Sequence, residues 1–244
     1  MAEQDGPTDA FVARADRILD SAGELMLRHG YRKVTIEDVA RGAKIGKGTV
    51  YLHWRTKDDL FMALLARESV RMVEDVAARL RADPEEVLPH RLMRMTYLAA
   101  LRKPLLLAIV TGDTEILGRM AETEINEVGA ATNDRFYDVL TDYGLLRDDI
   151  PNLPYALRGA TGGFYVLDRV DPESALGPEA GADALAHVVR AAFEPARRPR
   201  RSVLVGAAGA LIEVFEDLIP PYRAWIYYQE PAGSRPRDRK KGSA

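Results

Sequence analysis

Lys47, Gly48, Thr49, Tyr51 and His53 fall within one seven-residue stretch that holds no acidic side chain. That set suits a polyanion. A lysine neutralises a phosphate, threonine and tyrosine hydroxyls donate to phosphate oxygens, and short residues near a helix N-terminus reach base edges. Thr35 and Lys57 flank the stretch with one more hydroxyl and one more cation. Helix starts expected at both positions would add backbone amides and a favourable dipole. Nothing comparable suggests covalent chemistry. The histidines at 29, 53, 90 and 187 are scattered, without HExxH, and there is no Walker loop, no GxGxxG after a strand and no GxSxG. Asp148-Asp149 and Glu85-Glu86 are adjacent acids, which do not face each other on a helix. The chain has no cysteine, which removes disulfides, cysteine–zinc sites and thiol nucleophiles. The expectation is a protein that is not an enzyme, with no metal and no cofactor.

Helical periodicity dominates the elements that must hold these residues. Ala15, Ile18, Leu19, Ala22, Leu25 and Met26 repeat at i, i+3, i+4, i+7 as one buried face, and Gly30 ends that helix. Thr35 with Asp38, and Thr56 with Asp59, are capping pairs that open helices. Between them the pattern breaks at Ala43-Lys-Ile-Gly46 and resumes at Lys47, which predicts helix, tight break, helix. Ala40 and Ala43 are small enough for the two short helices to approach. The second can then lie in a major groove. Further helices are expected from about Thr56 to Leu80, from Asp83 with Pro84 at the first position, from Thr114 to Tyr143 with Gly144 as the stop, from Tyr155 to Val170, from Ala182 to Phe193, and from Ser202 to Leu218 with Pro220-Pro221 as the stop. No sustained period-2 alternation occurs. The fold class is all-α, about nine to ten helices, with an N-terminal three-helix head and a C-terminal helical bundle.

Residues Arg14 to about Val70 resemble the DNA-binding domain of the TetR family of transcriptional regulators. The resemblance rests on the ungapped run Thr35-Ile-Glu-Asp-Val-Ala-Arg-Gly-Ala-Lys-Ile-Gly-Lys-Gly-Thr-Val-Tyr-Leu-His-Trp-Arg-Thr-Lys-Asp-Asp-Leu60. It implies that Thr35, Tyr51, His53 and Lys57 hold phosphates, while Lys47, Gly48, Thr49 and Leu52 face bases. Leucine at position 52 is unusual, and it suits a thymine methyl. For Tyr51 a second reading stands beside the first: the ring packs in the small core and only the hydroxyl is exposed. Trp54 reads as core. The family usually has glycine and serine in the turn, where this chain has Lys44 and Gly46. A left-handed Lys44 costs roughly 1 kcal/mol.

The remaining chain carries a different charge. The formal net charge is −3, but Ala10 to Arg67 is +4, Glu68 to Glu194 is −9 and Pro195 to Ala244 is +5. A basic head followed by an acidic body implies separate partners for the two. The resemblance assigns the body to effector binding and homodimerisation through its last two long helices. Small residues on two helices, Gly159, Gly162 and Gly163, then Gly206, Ala207 and Ala210 with Val214, are the candidate dimer positions, since close helix contact is one reason to keep glycine in a helix. An effector pocket should be mainly apolar with a few polar groups. Met93, Tyr97, Ile109, Phe136, Tyr137, Phe164 and Tyr165 are candidates, and each taken singly reads first as core.

The expected organisation is a disordered leader (1–10), a helix-turn-helix domain (11–57), an effector and dimerisation domain (58–228) and a disordered basic tail (229–244). The expected function is a cytoplasmic repressor that binds a palindromic duplex DNA operator as a homodimer and is released by a small-molecule effector. The acidic first residues are no secretory leader, and no apolar run approaches the roughly 20 residues that cross a membrane. Two other readings remain open: a ligand- or protein-binding helical module with an auxiliary DNA head, and non-specific architectural DNA binding.

Overall fold

The computed structural model describes residues 9–111, 125–171, 173 and 175–227. Residues 1–8 of the expected leader, the expected tail (229–244) and part of the helix expected from Thr114 lie outside the described residues, while Asp9 and Ala10, expected in the leader, already belong to the first helix. Among the described residues the chain is helix and turn without a strand. The helices are α1 (Asp9–Lys33), α2 (Ile36–Gly42), α3 (Lys47–His53), α4 (Lys57–Ala82), α5 (Pro89–Leu101), α6 (Pro104–Thr111), α7 (Ile125–Asp142), α8 (Leu153–Val170), α9 (Pro178–Phe193) and α10 (Arg201–Tyr227).

Local sequence explains most of the boundaries. Gly30, at φ 71° and ψ 159°, kinks α1 where its periodic face ends. The Thr35 and Thr56 side chains accept from the amides of Asp38 and Asp59, whose carboxylates accept in return from the threonine amides. Each such cap contributes about 1 kcal/mol. Gly144, at φ 63°, stops α7, and the Leu145 amide donates to Leu140 O at 2.8 Å across the stop. Two expectations need correction. Asp83-Pro84 opens a 3-10 turn (Pro84–Val87), and the helix proper starts at Pro89. Pro220-Pro221 does not end α10, which continues to Tyr227 because Leu218, Tyr222 and Ile226 bury one stripe beyond the prolines.

Two apolar cores hold the molecule. The first joins Ala15, Ile18, Leu19, Ala22 and Met26 of α1 to Val39, Val50, Trp54, Leu60, Phe61 and Leu64, and so fixes α2 and α3 to α1 and α4. The second gathers Leu80, Leu92, Leu140, Leu157, Leu185, Val189, Leu204 and Leu211. Each fully buried Leu, Ile or Phe contributes about 1.5–3 kcal/mol. Helices α4 and α10 run through both cores. No helix among the described residues is long and apolar enough to cross a membrane.

Candidate nucleic-acid interface

Helix α3 is positioned by the turn that precedes it. Lys44 takes the left-handed conformation, φ 57°. Its amide donates to Arg41 O at 3.2 Å, and the Ile45 amide donates to Ala40 O at 3.0 Å. This is the double-bonded stop that glycine usually makes, built here on lysine. Close approach of α1 and α2 comes from a residue the sequence reading passed over. A Cβ at Gly42 would collide with the Ser21 hydroxyl, which donates to Val39 O at 3.1 Å. Ala40 is buried as expected and Ala43 half-buried. Gly46 caps α3 without a side-chain bond.

Four residues of α3 face solvent together: Lys47, Gly48, Tyr51 (45% exposed) and Leu52 (74% exposed). Thr49 is half-buried beside them, its amide donating to Gly46 O at 2.9 Å. A Cβ at Gly48 would touch nothing, so internal packing does not demand glycine there. Tyr51 presents its ring outward, against the reading in which that ring completes the core. A leucine three-quarters exposed on a seven-residue helix is an apolar contact held out to solvent.

The flanking residues are less free than their types suggested. The Thr35 hydroxyl donates to Asp38 Oδ2 at 2.6 Å and accepts from the Asp38 amide at 3.2 Å. The Thr35 hydroxyl, followed by the Thr35 amide that donates to the same oxygen at 3.1 Å, holds the Asp38 carboxyl below the usual carboxylate range. An acid therefore already occupies the N-terminus of α2, as Asp59 does that of α4. Lys57 Nζ donates to Tyr31 O at 2.5 Å and sits 4.1 Å from the centre of the Tyr31 ring. Half-burial pulls its ammonium below the ordinary lysine value. Tyr31 is anchored in turn by its hydroxyl on Asp58.

His53 needs correction. Expected on the exposed face, it is 4% exposed, and its Nε2 has no partner among the described residues. Phe11 from the first turn of α1 covers it with ring centroids 4.1 Å apart, and Trp54 packs 5.3 Å away. Burial, followed by the charge of Arg14, lowers its proton affinity. A phosphate reaches this imidazole only after Phe11 moves.

In the body, the candidate pocket residues separate into two groups inside the second core. Tyr97 and Tyr165 pack with centroids 4.9 Å apart, with Met93 and Phe164 half-buried in the same core. Phe136 meets Tyr137 edge-on at 5.2 Å and stacks on Phe215 at 6.5 Å. Ile109 lies in α6, but its side chain is outside the described residues. A cleft of about 500 Å³ opens elsewhere, between the start of α5 and the α9–α10 link, and none of these candidates lines it. It is crossed by His90–Glu194 and by Arg91 and Arg198 on Glu85.

The candidate dimer positions also divide. Ala207 and Val214 are buried in the core of their own chain, and a Cβ at Gly206 would press on the Tyr143 ring, 2.8 Å from Cε1. These three serve internal packing; Ala210 is half-buried. On α8 a Cβ at Gly159, Gly162 or Gly163 meets nothing, and Tyr155, Val166, Leu167 and Val170 stand exposed along the same helix.

Comparison with known proteins agrees with this arrangement. Residues 18–64 match the family model described as bacterial regulatory proteins, tetR family. The chain is 30% identical over 142 residues to the HTH-type transcriptional repressor KstR of Rhodococcus jostii, covering 58% of this chain and 66% of that protein. It is 37% identical over 71 residues to the HTH-type transcriptional repressor Rv1474c of Mycobacterium tuberculosis, covering 29% of this chain and 37% of that protein. The matches thus span between about a third and two thirds of these relatives. In fold, the chain is similar to the fatty acid degradation regulator FadR from Bacillus halodurans, with a TM-score of 0.58 at 18% identity, covering 81% of this chain and all of that one.

Proposed function

The chain belongs to the tetR family of bacterial regulatory proteins, and from that premise we propose that it is a transcriptional repressor whose head (11–57) reads a palindromic operator. The observation that carries this reading is the solvent face of α3. It offers a lysine, an unneeded glycine, a tyrosine and a bare leucine, with no acid among them, on a helix fixed by a packed core. Lys47, Gly48, Thr49 and Leu52 face base edges. Tyr51 and Lys57 take phosphates, and Thr35 contributes once its hydroxyl turns from Asp38.

The helical body (58–228) makes the homodimer and takes a small effector. The outward ridge of α8 supports pairing: Tyr155, Gly159, Gly163, Val166 and Val170 form an apolar strip that the described residues leave uncovered. A dimer places two α3 helices about 34 Å apart, one turn of DNA. The effector acts by favouring the arrangement of heads that does not fit this spacing. The aromatic group around Met93, Tyr97, Phe164 and Tyr165 is its proposed seat, since it mixes apolar surface with two hydroxyls.

The test is a gel shift with duplex DNA from upstream of the chain's own gene. Retardation by a dimer at nanomolar protein, lost steeply with added salt, is expected. Equal retardation of unrelated DNA would replace operator reading with non-specific binding, and no retardation would leave the body as the functional module.

A further inference from the structure

Helix α10 ends inside the wrong core for a body helix. Leu218, Tyr222 and Ile226, at i, i+4 and i+8, are buried in one apolar cluster with Ile18, Leu19, Leu60, Phe61 and Leu64 of the head, and Trp225 packs at its edge. The same helix buries Leu204, Ala208 and Leu211 in the second core. Pro220 and Pro221 stand inside the C-terminal of these two stretches, between Leu218 and Tyr222. They lack amide protons, so the helical bonds to the Glu216 and Asp217 carbonyls are missing. The most bendable point of α10 therefore falls just after Leu218, inside the stretch that the head's core buries.

Polar contacts tie the last turn to α1. The Tyr227 hydroxyl donates to Asp16 Oδ1 at 3.0 Å. Arg67, almost wholly buried on α4, donates to Asp16 O at 3.0 Å and pairs with Asp20 at 2.7 Å. Asp16 is thus gripped from α4 and from α10 at once.

We propose that residues 218–227 are a second, C-terminal part of the head's folding unit, and that Tyr227 and Arg67 position α1 from outside the helix-turn-helix. The head is then discontinuous in sequence, and the segment of α10 that joins it carries Pro220 and Pro221 within it. Calling the head the DNA-reading unit rests on the proposed function; the folding claim does not.

Hydrogen exchange on the full chain tests it. Tyr222→Ala with Ile226→Ala should speed amide exchange of α1–α3 about tenfold or more, while α5 and α9 stay protected. Leu204→Ala should do the reverse. Unchanged α1–α3 protection in the double variant, or equal loosening of the head by Leu204→Ala, overturns the proposal. Tyr227→Phe removes one hydroxyl and keeps the fold. It should speed exchange severalfold in α1 around Asp16, and no change there overturns the positioning role. These readouts need no DNA. A wild-type chain that binds no DNA but shows this exchange pattern sinks the repressor reading and leaves the discontinuous head standing.

Discussion

Phe11 lies over His53, ring centroid to ring centroid 4.1 Å, and closes the imidazole off from solvent. The first turn of α1 thereby rests on the last turn of α3, so the ring that seals His53 also braces the end of the reading helix. The buried Nε2 has no partner among the described residues, which makes the ring costly to protonate.

A pH dependence results. Burial depresses the proton affinity of folded His53, whereas the unfolded chain binds its proton near the ordinary value of 6.5. The stability that comes from keeping the ring neutral is therefore complete above about pH 6.5. It is lost as the pH falls from there toward the lower folded value. Thermal unfolding between pH 8 and pH 5 should show this slope, and His53→Phe should flatten it. NMR titration of wild-type His53 near 6.5 in the folded chain would contradict the assignment, and Phe11→Ala should move the titration toward that value.

Lys57 and Lys47 should differ in kind. Lys57 is held against Tyr31 at the edge of the interface. Lys57→Ala should weaken binding to operator and unrelated DNA by a similar factor and reduce the salt slope by about one per subunit. Lys47 is exposed at the start of α3, so Lys47→Ala should cut discrimination between operator and mismatched sites by about 1–3 kcal/mol. Leu52→Ala should act the same way at a thymine. Affinities measured across a salt series on both DNAs decide this, and an unchanged base preference in Lys47→Ala removes it from the base-facing set.

How far the sequence announces these features depends on the range of the interaction that creates them. The Thr35–Asp38 and Thr56–Asp59 caps are complete within four residues, and the buried face of α1 within three turns, so both are readable in one dimension. The left-handed Lys44 is signalled only by the resemblance, which sets it where the family usually has glycine. The burial of His53 is not signalled: its cover, Phe11, is remote in sequence, and an imidazole between Leu52 and Trp54 gives no sign of which way it faces. Pro220-Pro221 misled for the same reason. Two prolines argue for a helix end locally, and only burial of Leu218, Tyr222 and Ile226 against α1 and α4 outweighs the lost bonds. Small residues on α10 promised an interface, but spacing alone does not say that Ala207 faces inward while Gly159 on α8 faces out.

Lys44→Gly should stabilise the head. Lysine at φ 57° bears a steric cost that glycine lacks, and the extra chain entropy of glycine offsets part of the gain. The expected net is up to about 1 kcal/mol, read as a higher denaturation midpoint with DNA affinity kept. A lower midpoint would mean that the Lys44 side chain makes a contact worth more than the strain.

The α8 ridge gives the sharpest test of assembly. Tyr155, Gly159, Gly163, Val166 and Val170 recur at i, i+4, i+8, i+11 and i+15, so they form one strip along the helix, with Val170 74% exposed. Sedimentation should show a dimer at micromolar concentration. Val166→Asp with Val170→Asp would bury two charges against apolar surface, which costs several kcal/mol, enough to raise the dissociation constant at least about 100-fold. Gly163→Leu is the cleaner variant. Its Cβ meets no atom among the described residues, so the protomer should melt as before, while a partner helix packed on Gly163 is pushed away. Dimers that survive both changes place the contact elsewhere than α8.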